Sequence, residues 1–225
     1  MKQKIYLITG LMASGKSTVS DLLAKSIEKC VHLRGDVFRK MIISGRENMS
    51  ATPSAEAVRQ LYLRYKLTAD AARSYFDNGF SVVIQDNYYG DELNRMINYL
   101  HKYPVEVVVL CPDVETIKER ERYREKTGYS GFTVETLYDT FMQTTPRIGF
   151  WLDNSNQTPQ QTAETILNTR KPVFLAAYGA SAVPVGCSGE GSRVRSCPLE
   201  LVPGFCACLS FHLEHSFGTK TYCGP

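Results

Sequence analysis

The stretch Gly10-Leu11-Met12-Ala13-Ser14-Gly15-Lys16-Ser17 reads G-x-x-x-x-G-K-S, a phosphate-binding loop pattern. Its flanks turn the pattern into a physical claim. Upstream, Lys4-Ile5-Tyr6-Leu7-Ile8-Thr9 is a short apolar, β-branched run of the kind a buried parallel strand needs. Downstream, Val19, Leu22, Leu23 and Ile27 recur at helical spacing, which predicts a helix from Lys16 to about Cys30. Glycines between a strand and a helix let successive backbone N–H groups turn inward around an anion. Lys16 is then expected to reach terminal phosphates, and the Ser17 hydroxyl to ligate Mg²⁺. Gly10, Ala13, Ser14, Gly15, Lys16, Ser17 and Thr18 form the expected nucleotide cradle. A tight glycine turn that binds nothing is the bland alternative, and it leaves the full match in this context unexplained.

Further along, the same logic recurs. Val31–Arg34 reads as a second strand, followed by a helix over about 37–44 with Asp36 as its N-cap. Thr52, with Pro53 next, predicts the start of a long helix striped by Val58, Leu61, Tyr62, Tyr65, Ala69, Ala72 and Phe76, and Gly79 ends it. Strands are expected at 80–85, 105–110 and 148–152, and helices at 91–101, 114–126, 133–144 and 159–169. Asp113 caps one of these, and Thr158-Pro159-Gln160-Gln161 is a capping box for the last. Strands alternating with helices imply an α/β fold: a doubly wound parallel sheet covered on both faces. Ligands bind such sheets outside the carboxyl ends of the strands.

Composition sets the limits. The chain has 225 residues, 43% hydrophobic and 22% charged, ordinary values for a globular protein with room for a core. A net charge of +3 supplies no argument for nucleic acid or a membrane surface. No apolar run approaches a membrane span, and the first strand begins at once, so a cytoplasmic location is expected. Five of the seven cysteines crowd the segment after residue 171, together with seven of sixteen glycines and five of ten prolines. Residues 1–171 therefore read as one domain and 172–225 as an irregular tail. Within the tail, Cys206-x-Cys208-x₃-His212-x₂-His215 is a poor zinc pattern, because the first gap is shorter than finger spacing.

The residues leaving the strand ends carry the candidate chemistry. Asp36, followed by Arg39, stands after the second strand. A carboxylate there is placed to orient an acceptor hydroxyl and take its proton, and Arg39 to hold a polar or anionic acceptor group. The competing reading makes Asp36 a plain cap and Arg39 solvated. Asp86 ends the third strand, where a phosphoryl-transfer enzyme often keeps a Mg²⁺-associated carboxylate, although the preceding Gln85 weakens the match. Binding the acceptor, or capping the loop that follows, is the alternative for Asp86. Arg120 and Arg124 share a helix face before the glycine-rich turn Gly128–Gly131, an arrangement that suits a lid closing over phosphates. A solvated face of exposed ion pairs is the alternative for that helix.

Residues 1 to about 170 resemble the small-molecule P-loop kinases, in particular the group containing chloramphenicol phosphotransferase and the zeta toxins. Gly10–Ser17, Arg34–Arg39, Val82–Asp86, Arg120–Arg124 and Thr145–Asp153 carry the resemblance. It implies a five-stranded sheet ordered 2-3-1-4-5, ATP·Mg²⁺ at Lys16 and Ser17, and Asp36 as the acceptor-side base. It also implies that residues 154–158 lie near adenine and that the helix over 53–78 borders the acceptor pocket. The expected activity is transfer of the γ-phosphoryl group of ATP to a small-molecule hydroxyl. A nucleotide hydrolase or switch, or a non-catalytic nucleotide-binding module, are the competing functions; no second motif for partner coupling is present.

Overall fold

The computed structural model describes residues 2–50, 52–124 and 133–169. Five strands, β1 (Ile5–Gly10), β2 (Cys30–Arg34), β3 (Ser81–Gln85), β4 (Val105–Leu110) and β5 (Phe150–Leu152), form one sheet in the order β2-β3-β1-β4-β5. Every pairing is parallel. Helices α1 (Lys16–Lys25), α2 (Gly35–Lys40), α3 (Ala55–Asp77), α4 (Asp91–Tyr99), α5 (Val114–Arg122), α6 (Val134–Thr144) and α7 (Pro159–Asn168) make the connections.

The two-residue period of the strands sorts their side chains to two cores. Ile5, Leu7, Val82, Ile84, Val105, Val107 and Val109 pack with Leu61, Tyr65, Leu93, Met96, Ile117 and Phe141 from α3 to α6. Tyr6, Ile8, Val83, Val108 and Leu110 pack with Val19, Leu23, Ala163 and Ile166 from α1 and α7. Burial on both faces explains why β1, β3 and β4 read as continuous apolar runs. Among the described residues no helix is long and apolar enough to cross a membrane.

Several boundaries differ from the sequence expectation for local reasons. The first helix stops at Lys25 because Cys30 already belongs to β2. The long helix is capped by Ser54, whose hydroxyl accepts from the Ala57 N–H, so Pro53 lies before the helix and Thr52 caps nothing. Asp36 is not an N-cap: α2 begins at Gly35, one residue earlier, and Arg34 occupies the cap position. The Asp113 cap and the Thr158–Gln161 capping box form as the sequence predicts, while Thr133, expected as the first helical residue, is the N-cap of α6. The glycine-rich turn 128–131 and the tail 172–225 lie outside the described residues.

Candidate active site

The loop between β1 and α1 is built to leave positive potential unsatisfied. Helices α3, α5, α6 and α7 each close their first turn with a side-chain cap, and the uncapped α2 and α4 carry acidic residues there, whereas α1, with Gly15 as its N-cap, has neither a capping side chain nor an acidic residue in its first turn. Its free N–H groups and dipole are therefore available to an anion. Gly10 (φ +146°), Ala13 (φ +64°) and Gly15 (φ +95°) supply the turns. At Gly10 a side chain would run into the Leu110 carbonyl oxygen, so β4 enforces glycine there.

Lys16 is buried and folded back on the loop. Its Nζ donates to the carbonyl oxygens of Gly10 (2.7 Å) and Leu11 (2.6 Å). Burial lowers its pKa to about 7, with the Asp86 charge opposing and the Arg124 charge assisting. A phosphate arriving in the loop offers this ammonium a full anionic partner in place of two neutral carbonyls.

The expected acceptor side is at the ends of β2 and β3. The buried Asp86 Oδ2 sits 3.0 Å from the Nε of Arg64 on α3, a charge contact made outside hydrogen-bonding geometry; neither atom has a hydrogen-bond partner. Its Oδ1 accepts from the Asn87 N–H at 2.8 Å. Burial pushes the Asp86 carboxyl up, while Arg64, the Asn87 N–H and Lys16 favour its charged form. Gly35 presses directly on this carboxylate, and a side chain at that position would overlap it. Asp36, the next residue, pairs with Lys40 at 2.8 Å and with Arg34 at 3.4 Å. Partial burial works against its charge, but Lys40 and Arg34 hold the Asp36 carboxyl below its usual range. Its Oδ1 has no hydrogen-bond donor. Arg39 bonds Asn48 and is not free in solvent.

Thr9 couples the two halves. Its hydroxyl donates to the Tyr88 carbonyl (3.0 Å) and accepts from the Tyr88 N–H (2.9 Å), tying the segment after β3 to the strand that carries the phosphate loop. Tyr88 is fully buried against Tyr65, whose hydroxyl donates to the Asn87 carbonyl at 3.0 Å. The two tyrosines are thus packing elements, not open pocket walls.

The Ser17 hydroxyl, expected to ligate a cation, is 3.5 Å from Oε1 of Gln85, so the residue facing it is Gln85. Asp86, expected beside the metal, turns instead to Arg64. Two uncharged oxygens beside the loop, with Asp86 close enough to act electrostatically on Lys16, form a donor set that suits a hard divalent cation.

On the opposite flank, Arg120 of α5 donates to the carbonyl oxygens of Asn154 (2.9 Å) and Ser14 (3.4 Å). Buried Asn154 itself donates to the Ser14 carbonyl at 3.1 Å. Arg120 is therefore beside the loop, as its spacing suggested. Arg124 instead bonds Glu121 at 2.6 Å, and reaches Lys16 only through its charge. The sequence reading missed Arg64 and Gln85 as contributors, and expected residues 154–158 near adenine where Asn154 meets the phosphate loop. Arg64 had a readable signal: it is a cation on the α3 face that also buries Gln60, Leu61, Thr68 and Ala72.

Cys30 and Cys111 are half-buried free thiols whose pKa burial raises to about 11, which removes them as nucleophiles.

Solved structures with this fold include a sugar kinase from a Janibacter species (20% identity, TM-score 0.53, covering 74% of this chain and 93% of that one). The tunicamycin resistance protein of Deinococcus radiodurans is 16% identical, with a TM-score of 0.56 over 74% of this chain and 94% of its own. The APS kinase of Mycobacterium tuberculosis, solved with AMPPNP and APS, is 16% identical, with a TM-score of 0.54 over 74% and 96%. At these identities the likeness establishes the shared P-loop kinase fold. No curated protein sequence matches the chain. A family model described as AAA domain matches residues 5–144, the span from β1 through α6 that holds the phosphate loop, Asp36, Asp86 and Arg120. The chain belongs to this AAA domain family.

Proposed function

We propose that the protein is an ATP-dependent kinase that transfers the γ-phosphoryl group to a hydroxyl of a small molecule. One observation carries this reading: Asp36 lies in the first turn of α2 without capping it, its Oδ1 ion-paired with Arg34 but accepting no hydrogen bond, at the strand end next but one to the phosphate loop. A nucleotide switch has no need of such a carboxylate. In this account the loop N–H groups and Lys16 bind the phosphates of ATP, and Asp36 orients the acceptor hydroxyl and accepts its proton as the O–P bond forms. Arg120, beside the loop, stabilises charge on the transferring group.

Ser17, with Gln85 beside it, would hold Mg²⁺, and Asp86 adds negative potential nearby. The cation when bound supplies charge neutralisation across the phosphates. The acceptor pocket lies between α2, α3 and the end of β3, with Arg39 and Asp86 as acceptor-binding groups. Antibiotics, sugar nucleotides and hydroxylated metabolites are the acceptor classes that the resemblance to chloramphenicol phosphotransferase and the zeta toxins favours. Screening such compounds with ATP and reading products by mass tests the proposal. Gain of one phosphoryl group on an acceptor supports it; release of free phosphate alone, whatever the compound, refutes it.

A further inference from the structure

The hydrogen-bond ladder between β1 and β3 stops one step short of the phosphate loop. The Val82 N–H donates to the Lys4 carbonyl at 3.1 Å, and the Asp86 N–H to the Ile8 carbonyl at 3.3 Å. The register over this stretch is unbroken, from Ile5↔Val82 to Ile8↔Gln85. Bonds between parallel strands are evenly spaced. The same step of two residues on each strand would therefore bring the next N–H, that of Tyr88, to the Gly10 carbonyl. It does not. The Tyr88 N–H goes to the Thr9 hydroxyl at 2.9 Å, and the Gly10 carbonyl accepts from Lys16 Nζ at 2.7 Å.

Packing causes the exchange. The Tyr88 ring lies against Tyr65 of α3, with centroids 5.0 Å apart, and the Tyr65 hydroxyl donates to the Asn87 carbonyl at 3.0 Å. These contacts draw the chain after Asp86 off the strand line and onto the α3 face of the sheet. Thr9 shares that face with Ile5 and Leu7. A hydroxyl both donates and accepts, so Thr9 serves the Tyr88 carbonyl, at 3.0 Å, as well as the N–H. Thr9 is fully buried, and an apolar side chain there would leave two buried backbone groups without partners. For the N–H, the ladder acceptor still within register is the Gly10 carbonyl.

We infer that Thr9 is a positioning residue for Lys16: by taking the Tyr88 N–H on its hydroxyl, it spares the Gly10 carbonyl, which then holds the ammonium over the phosphate loop before a nucleotide arrives. A lysine already held there has little side-chain freedom left to lose on binding. The inference rests on nucleotide binding at the loop and is independent of any acceptor.

Crystal structures and ADP calorimetry of Thr9→Val and Thr9→Ser test it. Valine keeps the shape and removes the hydroxyl; serine keeps the hydroxyl. In nucleotide-free Thr9→Val, the Tyr88 N–H is expected on the Gly10 carbonyl and Lys16 Nζ away from it. ADP should then bind about tenfold more weakly, the size of a lysine's side-chain entropy. Thr9→Ser is expected to match wild type in both respects. Lys16 still on the Gly10 carbonyl in Thr9→Val, or an unchanged ADP affinity, would overturn the role. An equal loss in both variants would also overturn it, because Thr9 then only packs. If Thr9→Val does not fold, Thr9→Ala is read by the same criteria. The position of Lys16 is read without nucleotide, so the two readings fail separately. The exchange at Gly10 without phosphoryl transfer to any acceptor keeps this role and sinks the kinase; transfer by wild type with Lys16 unmoved in Thr9→Val does the reverse.

Discussion

Oδ2 of Asp86 lies 3.0 Å from Nε of Arg64, joining the end of β3 to the middle of α3 through a contact that is almost wholly shielded from solvent. The pair links the fold to the site, because the same carboxylate acts on Lys16 in the phosphate loop and fills the space beside Gly35.

Removing one partner of a buried pair strands the other charge. Arg64→Leu is expected to destabilise the protein by about 3–5 kcal/mol. Arg64→Lys should lose less, since a cation remains. Denaturant unfolding of the two variants checks this; equal losses would mean that the charge does not matter.

Gly35→Ala should also destabilise, by about 1–3 kcal/mol, as a side chain displaces the Asp86 carboxylate. The comparison is Gly45→Ala, where a side chain meets open space but the backbone φ of +73° carries its own strain. If nucleotide affinity is measured alongside, only the Gly35 variant is expected to alter it, because only Gly35 touches a group that acts on Lys16.

The pKa of Lys16 lies at about 7, below the usual lysine value of 10.5, so the folded protein resists protonating it. For a lowered lysine the cost to stability is complete below about pH 7 and disappears as pH rises towards 10.5. Bound phosphates favour the charged form, so nucleotide affinity should fall as pH rises above about 7, at a limiting slope of about tenfold per pH unit. Calorimetric titration with ADP over this range measures the slope. A flat profile would show that Lys16 is fully charged without nucleotide.

Asp36→Asn keeps the shape of the side chain and removes its basicity. Phosphoryl transfer is expected to drop by about 10²–10⁴-fold while ATP affinity is preserved. Full transfer by the variant would remove Asp36 from its proposed role.

Much of this arrangement is visible in the sequence because local signals and tertiary demands agree. The phosphate loop sits between an apolar strand and an amphipathic helix, and all five strands pair in the order that the resemblance to P-loop kinases implies. Where two caps compete locally the sequence is ambiguous: Ser54 outcompetes Thr52, and Gly35 starts α2 one residue before Asp36. The contributions of Arg64, Gln85 and Asn154 depend on contacts 68 and 140 residues apart for the latter two, and on the approach of α3 to β3 for the first. No local spacing encodes those distances. Arg64 left a local trace, as a charge on an otherwise buried helix face, and Asn154 entered through the resemblance.

The central claim is direct transfer between the two halves of the site, and γ-labelled ATP tests it most directly. Incubated with the protein and a pool of hydroxylated small molecules, the label is predicted to move to an acceptor in wild type and to stay on ATP in Lys16→Ala. Label recovered entirely as inorganic phosphate in the wild type, with none on any acceptor, would contradict the account.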